Sequence, residues 1–363
     1  MSRAAKGTLL YPARHSRTSL GEELLRPCTD LDVSVNRLDE RPYEGLRLLA
    51  AHAHPDDESS KGAGTTALYS SLGAQVLIAT FTGGEAGDIL NPAVAQSPAA
   101  IRDIAGLRRE EMANAAAILG AEQRWIGFVD SGLPEGDFET QTPHGCFYKV
   151  PTDVAARPLV GLIRQFRPQV VTTYDEQGGY PHPDHIKAHI VTMAAVEAAA
   201  QPDYHPELGA AWQVQKVYYN QDLSPKKWRL LDETVRARGL ESPFAEILEH
   251  WAGRLERDSW LSTVITCGPF VDTAEQALLA HRTQIDPQGG FFSATRRAAK
   301  RVLPTEDFEL VVDMTGRGPL EHRDYVESDL FAGVTDDAGH RVPEDRLDAI
   351  VDANGWREPE GLQ

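Results

Sequence analysis

Cysteine is scarce. Cys28, Cys146 and Cys267 are the three in 363 residues, they lie far apart, and none belongs to a Cys-x-x-Cys pair. This fits neither a disulfide framework nor a zinc ribbon and points to a reducing compartment, so a cytoplasmic protein is expected. Positive charge is short as well: 36 Lys and Arg stand against 54 Asp and Glu, for a net charge of -18. Nucleic-acid binders concentrate basic residues on one face, so that partner is not expected. Nor is a membrane. The longest apolar stretch, near 190–200, contains Glu197 and falls short of the roughly 18 residues a span requires. Three common motifs are missing too. No Gly-x-x-x-x-Gly-Lys-Ser/Thr loop is present, Gly62-Ala63-Gly64 is a mere fragment of a dinucleotide fingerprint, and no Gly-x-Ser-x-Gly elbow carries a serine nucleophile.

What the chain has is alternation. Hydrophobic residues make up 41%, enough for one large α/β core or two ordinary domains. Apolar runs at 46–53, 76–81, 124–129, 169–174 and 214–219 read as strands. Helical spacing over 59–72, 101–119, 154–166 and about 183–200 separates them. Strands joined by helices of that length pair in parallel through right-handed crossovers, which predicts a Rossmann-like, doubly wound, mainly parallel sheet with helices on both faces. Ligands bind beyond the carboxyl ends of such strands, where the polar clusters at 54–58, 82–88, 130 and 175–185 all fall. Residues 1–44 read as a poorly ordered extension and 45–220 as the catalytic core. Residues 221–314 read as an elaboration packed on that core, with helices near 225–237, 243–257 and 274–282 and a strand at 262–266. Residues 315–363 read as a charged, solvated tail.

Two constellations carry chemistry. After the first strand comes His52-Ala53-His54-Pro55-Asp56-Asp57-Glu58, where His54 and Asp57 can converge on one ion while Asp56 points elsewhere. A neutral imidazole and a carboxylate are good zinc ligands, and a second carboxylate can act as base. The plainer reading is a loop whose acids cap the next helix. The second constellation is Gly178-Gly179-Tyr180-Pro181-His182-Pro183-Asp184-His185, with Pro183 suited to a first helical turn. Catalytic zinc takes three protein ligands and keeps one open position, so one histidine from this segment completes the set and the other is left to protonate a leaving group. His185 with His189, one turn apart, is a competing and weaker pair.

These two segments, their separation and the α/β pattern resemble the zinc-dependent PIG-L/LmbE deacetylase family. Within it, residues 52–62 and 81–92, together with 281–286, 304–308 and 329–334, resemble the branch acting on mycothiol S-conjugates. The resemblance implies His54, Asp57 and His185 as ligands of zinc, with ferrous iron as the other candidate. It implies Asp56 as general base, His182 as general acid held or tuned by Asp184, and Tyr180 at the oxyanion. Arg108, Asp130, Glu85 and Asp88 would face the sugar-inositol portion and Lys61 the cysteinyl part. The partner implied is a small thiol-sugar conjugate, and homo-oligomerisation is compatible with the chain. The expected reaction is hydrolysis of the cysteinyl-glucosamine amide of the conjugate. The alternatives are deacetylation of N-acetylglucosaminyl-inositol and, from another class, a non-catalytic sugar-binding module.

Overall fold

The computed structural model describes residues 41–221, 261–289, 304–317 and 326–356, with a few helical positions between 229 and 248. Its centre is β1 (Arg47–His52), whose six residues are all buried. An apolar run of that kind suits a strand covered on both faces. It pairs in parallel with β2 (Gln75–Thr82) on one side and β4 (Val170–Thr173) on the other. β3 (Glu122–Phe128) lies outside β2, and β5 (Lys216–Asn220) outside β4, both parallel. β6 (Thr263–Thr266) and β7 (Thr305–Asp313) close the far side antiparallel, giving the order β3-β2-β1-β4-β5-β7-β6. The chain leaves β1 toward β2 and β3, then returns to β4 and β5, so the direction of winding reverses between β1 and β4. That is the topological switch point, where open sheets of this kind leave a crevice.

The alternation along β1 separates two cores, because successive side chains of a strand point to opposite faces. Leu48 and Ala50 pack with Leu68 of α2 (Ala63–Ser71), Met112 and Leu119 of α3 (Ile104–Leu119) and Ala277 of α6 (Val271–Ala280). Leu49 and Ala51 pack with Leu159 and Ile163 of α4 (Thr152–Phe166) and Val191 and Ala195 of α5 (Pro183–Ala199). Helices therefore cover both faces, as expected. A one-turn helix, α1 (Asp57–Ser60), begins at the carboxyl end of β1.

Four details differ from the sequence reading. The long helix expected from 101 starts afresh at Asp103, whose Oδ1 accepts the Gly106 N–H at 2.7 Å and caps α3. β7 was not anticipated, although Phe308 and Leu310 are buried at a strand's period. Tyr43, placed in the amino-terminal extension, is fully buried and donates its hydroxyl to Asp329 Oδ2 at 2.6 Å. The last described segment is no solvated tail: Leu330, Phe331, Val334 and Val342 join the core with Leu347 and Val351 of α7 (Arg346–Ala353). Residues 1–40, and most of the helices expected at 225–237 and 243–257, lie outside the described residues. Among the described residues no helix is long and apolar enough to cross a membrane.

Candidate metal site and its surroundings

At the end of β1 the chain turns through Ala53–Asp56. Asp56 has φ of 110°, a conformation that L side chains rarely adopt, and its carboxylate makes no capping bond to α1. The plainer capping reading of this acid therefore fails. Beyond β4, Asp175 Oδ1 accepts the N–H groups of Gln177 and Gly179 and shapes the next loop. Gly178 there has φ of 73°, and a Cβ on it would come within 2.6 Å of the His185 Cβ. Only glycine allows that approach. His182 caps α5 as its Nδ1 accepts the Asp184 N–H at 3.1 Å, and Pro183 occupies the first turn.

These two loops bring three donor atoms together. His54 Nδ1 lies 3.4 Å from Asp57 Oδ2 and 3.3 Å from His185 Nε2, and the remaining edge, His185 Nε2 to Asp57 Oδ2, is 3.4 Å. A tetrahedral cation bonded at zinc distances separates its ligands by about 3.3–3.4 Å. The residues present fit such an ion. Their outward-facing atoms are also engaged, as ligands of a metal ordinarily are. His54 Nε2 faces Asp184 Oδ2 at 3.3 Å, His185 Nδ1 faces the Gly178 carbonyl at 3.0 Å, and Asp57 Oδ1 takes the Lys61 ammonium at 2.7 Å. Asp184 is in turn fixed by the Ser131 N–H at 2.8 Å and by the Ser131 hydroxyl. The Tyr174 ring stacks on His185 with centroids 4.4 Å apart.

Two other groupings have metal-binding spacing, His54 with His182 and His185, and His54 with Asp130 and Asp184. The second uses the opposite nitrogen of the same imidazole, and its carboxylates already accept backbone N–H groups of Ser131, Gly132 and Ala86. It is better described as the shell that orients His54.

Charge follows the same geometry. Burial opposes a proton on His54, yet hydrogen bonds to Asp130, Asp184 and Asp57 outweigh it and hold its pKa well above the imidazole range. Burial also opposes charge on Asp57, but His185 and Lys61 keep it well below the usual carboxylate range. Burial beside Asp57 pushes Asp56 up to about 7. Burial, then the neighbouring His54 and His185, push His182 down to about 2. With Nδ1 already accepting, His182 is neutral and carries its proton on Nε2. Asp184 holds His182 through its backbone N–H, while its carboxylate is turned to His54 and Ser131. Tyr180 is half-buried, its ring centroid 4.7 Å from that of His185 and 6.3 Å from that of His182. His189, offered as a helical partner of His185, instead bonds the Tyr174 carbonyl and packs on Tyr219.

The residues assigned to substrate divide. Asp88 is exposed and Glu85 half-buried. Arg108 is buried and binds Thr283 Oγ1 and the carbonyls of Gly87 and Asp88. Asp130 accepts the Ala86 and Gly132 N–H groups. Lys61, half-buried, donates to Asp57 Oδ1 at 2.7 Å and to the Ser60 hydroxyl at 3.1 Å. Sequence reasoning missed Ser131, Tyr174 and the contacts of Glu58 with His281; position beside a strand-end acid was the one signal for the first two.

A histidine–carboxylate triangle that could hold a metal ion, at the switch point of a doubly wound sheet and beside a second carboxyl group, is the kind of site an α/β hydrolase uses. The chain belongs to the PIG-L family: the family model described as GlcNAc-PI de-N-acetylase matches residues 49–196. It is 49% identical over 295 residues to a mycothiol S-conjugate amidase of Streptomyces coelicolor, covering 81% of this chain and 99% of that one. It is 39% identical over 297 residues to the 1D-myo-inositol 2-acetamido-2-deoxy-alpha-D-glucopyranoside deacetylase of Geodermatophilus obscurus, covering 79% and 98%. Among solved structures, N,N'-diacetylchitobiose deacetylase from Pyrococcus horikoshii superposes with a TM-score of 0.50 at 16% identity over 80% of this chain and 91% of that one, a likeness of fold. These relatives are amidases and deacetylases, hydrolases acting on C–N amide bonds.

Proposed function

We propose that the protein is a zinc-dependent amidase that cleaves the bond between the cysteinyl and glucosamine parts of mycothiol S-conjugates, releasing a mercapturic acid and glucosaminyl-inositol. The observation that carries the hydrolytic reading is the triangle of His54, Asp57 and His185 with Asp56 beside it. When bound there, zinc supplies Lewis acidity toward the amide carbonyl and the attacking water. The chain does the rest. Asp56, titrating near neutral pH, takes a proton from the water and returns it to the departing amine nitrogen. His182 donates its Nε2 hydrogen toward the carbonyl oxygen as that atom gains charge, and Tyr180 supports it from the same side. Arg108 and Asp130 hold the rim loops, while Glu85 and Asp88 are the carboxylates with solvent access that can read sugar hydroxyls. Lys61 occupies Oδ1 of Asp57, so Oδ2 is the oxygen that would hold the ion.

The choice of substrate is supported by the higher identity to the conjugate amidase, 49% against 39% for the deacetylase. Mass spectrometry of products decides it. The zinc-loaded protein is given a mycothiol S-conjugate and, separately, N-acetylglucosaminyl-inositol, with Asp56→Ala as control. Faster release of mercapturic acid supports the proposal. Preference for the acetylated sugar makes the protein a deacetylase, and unchanged turnover in Asp56→Ala removes the base. Parallel loading with ferrous iron tests the choice of metal.

A further inference from the structure

Asp56 is held in a costly backbone conformation, so something must hold it. A φ of 110° at a non-glycine residue is strained and persists where the surroundings over-determine it. The Asp56 carbonyl accepts the Ser59 and Ser60 N–H groups, as any helix start does. The remaining contacts come from a distant stretch of chain. The Asp56 N–H donates to Glu58 Oε2 at 3.0 Å, and the other oxygen of that carboxylate, Oε1, takes His281 Nε2 at 2.7 Å and the Ser59 hydroxyl. The carbonyl of that same peptide unit, the Pro55 C=O, accepts the Gln284 side-chain amide at 2.6 Å. Residues 281 and 284 therefore bracket the peptide that leads into the candidate base, His281 through Glu58 on its N–H edge and Gln284 on its carbonyl edge.

The bracket is itself rigid. His281 is fully buried, and its carbonyl accepts the Gln284 and Ile285 N–H groups. Thr283, between the two, gives its N–H and hydroxyl to the two oxygens of Glu111 on α3, at 2.9 and 2.7 Å. The Thr283 carbonyl accepts the Leu90 N–H, and Arg108 reaches its hydroxyl. A turn needed only for packing would not have to send one side-chain donor to the Pro55 carbonyl and another to the carboxylate that holds the Asp56 N–H.

We infer that His281 and Gln284 are positioning residues for Asp56, His281 acting through Glu58 and Gln284 through the Pro55 carbonyl. This rests on the reading of Asp56 as base. Neither residue touches the three metal-facing atoms, so loss of the bracket changes turnover without emptying the metal site. Outer partners of this kind are worth about 10- to 100-fold.

The test is steady-state hydrolysis of a mycothiol S-conjugate, or of N-acetylglucosaminyl-inositol if that proves the substrate, by full-length zinc-loaded variants. His281→Leu removes the donor to Glu58, and His281→Gln restores one. Gln284→Leu, at a half-buried position, tests the other arm should His281→Leu fail to fold. Support is a kcat about 10- to 100-fold lower in the two leucine variants with KM and zinc content retained. It also requires near wild-type turnover in His281→Gln, and no further loss when either leucine change is added to Asp56→Asn, since residues acting through one group are not additive. Unchanged kcat in Gln284→Leu and His281→Leu overturns the inference, as does loss of zinc in step with activity or independent multiplication with Asp56→Asn. Failure of the underlying reading is distinguishable: Asp56→Asn would then itself retain wild-type turnover.

Discussion

His54 Nδ1 and His185 Nε2 stand 3.3 Å apart although 131 positions separate them in the chain. Without a cation the pair can share one hydrogen, His54 Nδ1–H donating to His185 Nε2. With Asp57 Oδ2 at 3.4 Å from both, they describe one face of a tetrahedron about a shared cation. β1 and β4 are neighbours in the sheet, which is what brings the two loops together.

The Asp184 carboxylate faces His54 rather than His182, so it acts on the metal site. Asp184→Asn is expected to weaken zinc affinity by about 10- to 100-fold. Competition against a chelating dye measures this. Unchanged affinity with altered turnover would assign Asp184 to His182 instead.

Binding of a cation displaces a proton. In the metal-free protein His54 is held well above the imidazole range, so at neutral pH it is charged, and Nδ1 must give up its hydrogen to become a ligand. Affinity then rises with pH until the pKa of His54 is reached, by about tenfold per pH unit for one proton. Calorimetry at pH 7 in buffers of different ionisation enthalpy is expected to show release of protons on zinc binding. A binding enthalpy independent of buffer contradicts the charged His54.

Asp329 and Glu327 are buried acids that fasten the carboxyl-terminal segment to the core. Asp329 is fully buried and accepts the hydroxyls of Tyr43 at 2.6 Å and Tyr69 at 2.8 Å. Asp329→Ala leaves both phenols without that acceptor, and the expected cost is at least about 2 kcal/mol in urea unfolding, with zinc content kept. A cost near zero would mean that 326–356 contributes little to the core.

How much of this was legible depended on where each partner sits. The strand-then-acid transitions at 46–58 and 169–185 showed both the sheet and the ligand loops, because an apolar run buried on two faces and an abrupt polar cluster are local signals. Contacts made across the fold were not readable. Asp184 as partner of His54, and Glu58 as partner of His281, are hydrogen bonds over 130 and 223 positions. Asp329 and Lys61 are charges that a sequence assigns to solvent, yet a tyrosine pair buries the first and a ligand carboxylate takes the second. Once Asp329 is recognised as buried, Leu330, Phe331 and Val334 follow it into the core.

Anomalous diffraction from crystals of the zinc-loaded protein tests the central relationship most directly. One strong peak is predicted, bonded to His54 Nδ1, Asp57 Oδ2 and His185 Nε2 at about 2.0–2.2 Å, with His182 unbound and the fourth position open. A peak held by His54, His182 and His185, with Asp57 left to Lys61, or no peak between the two loops, would contradict it.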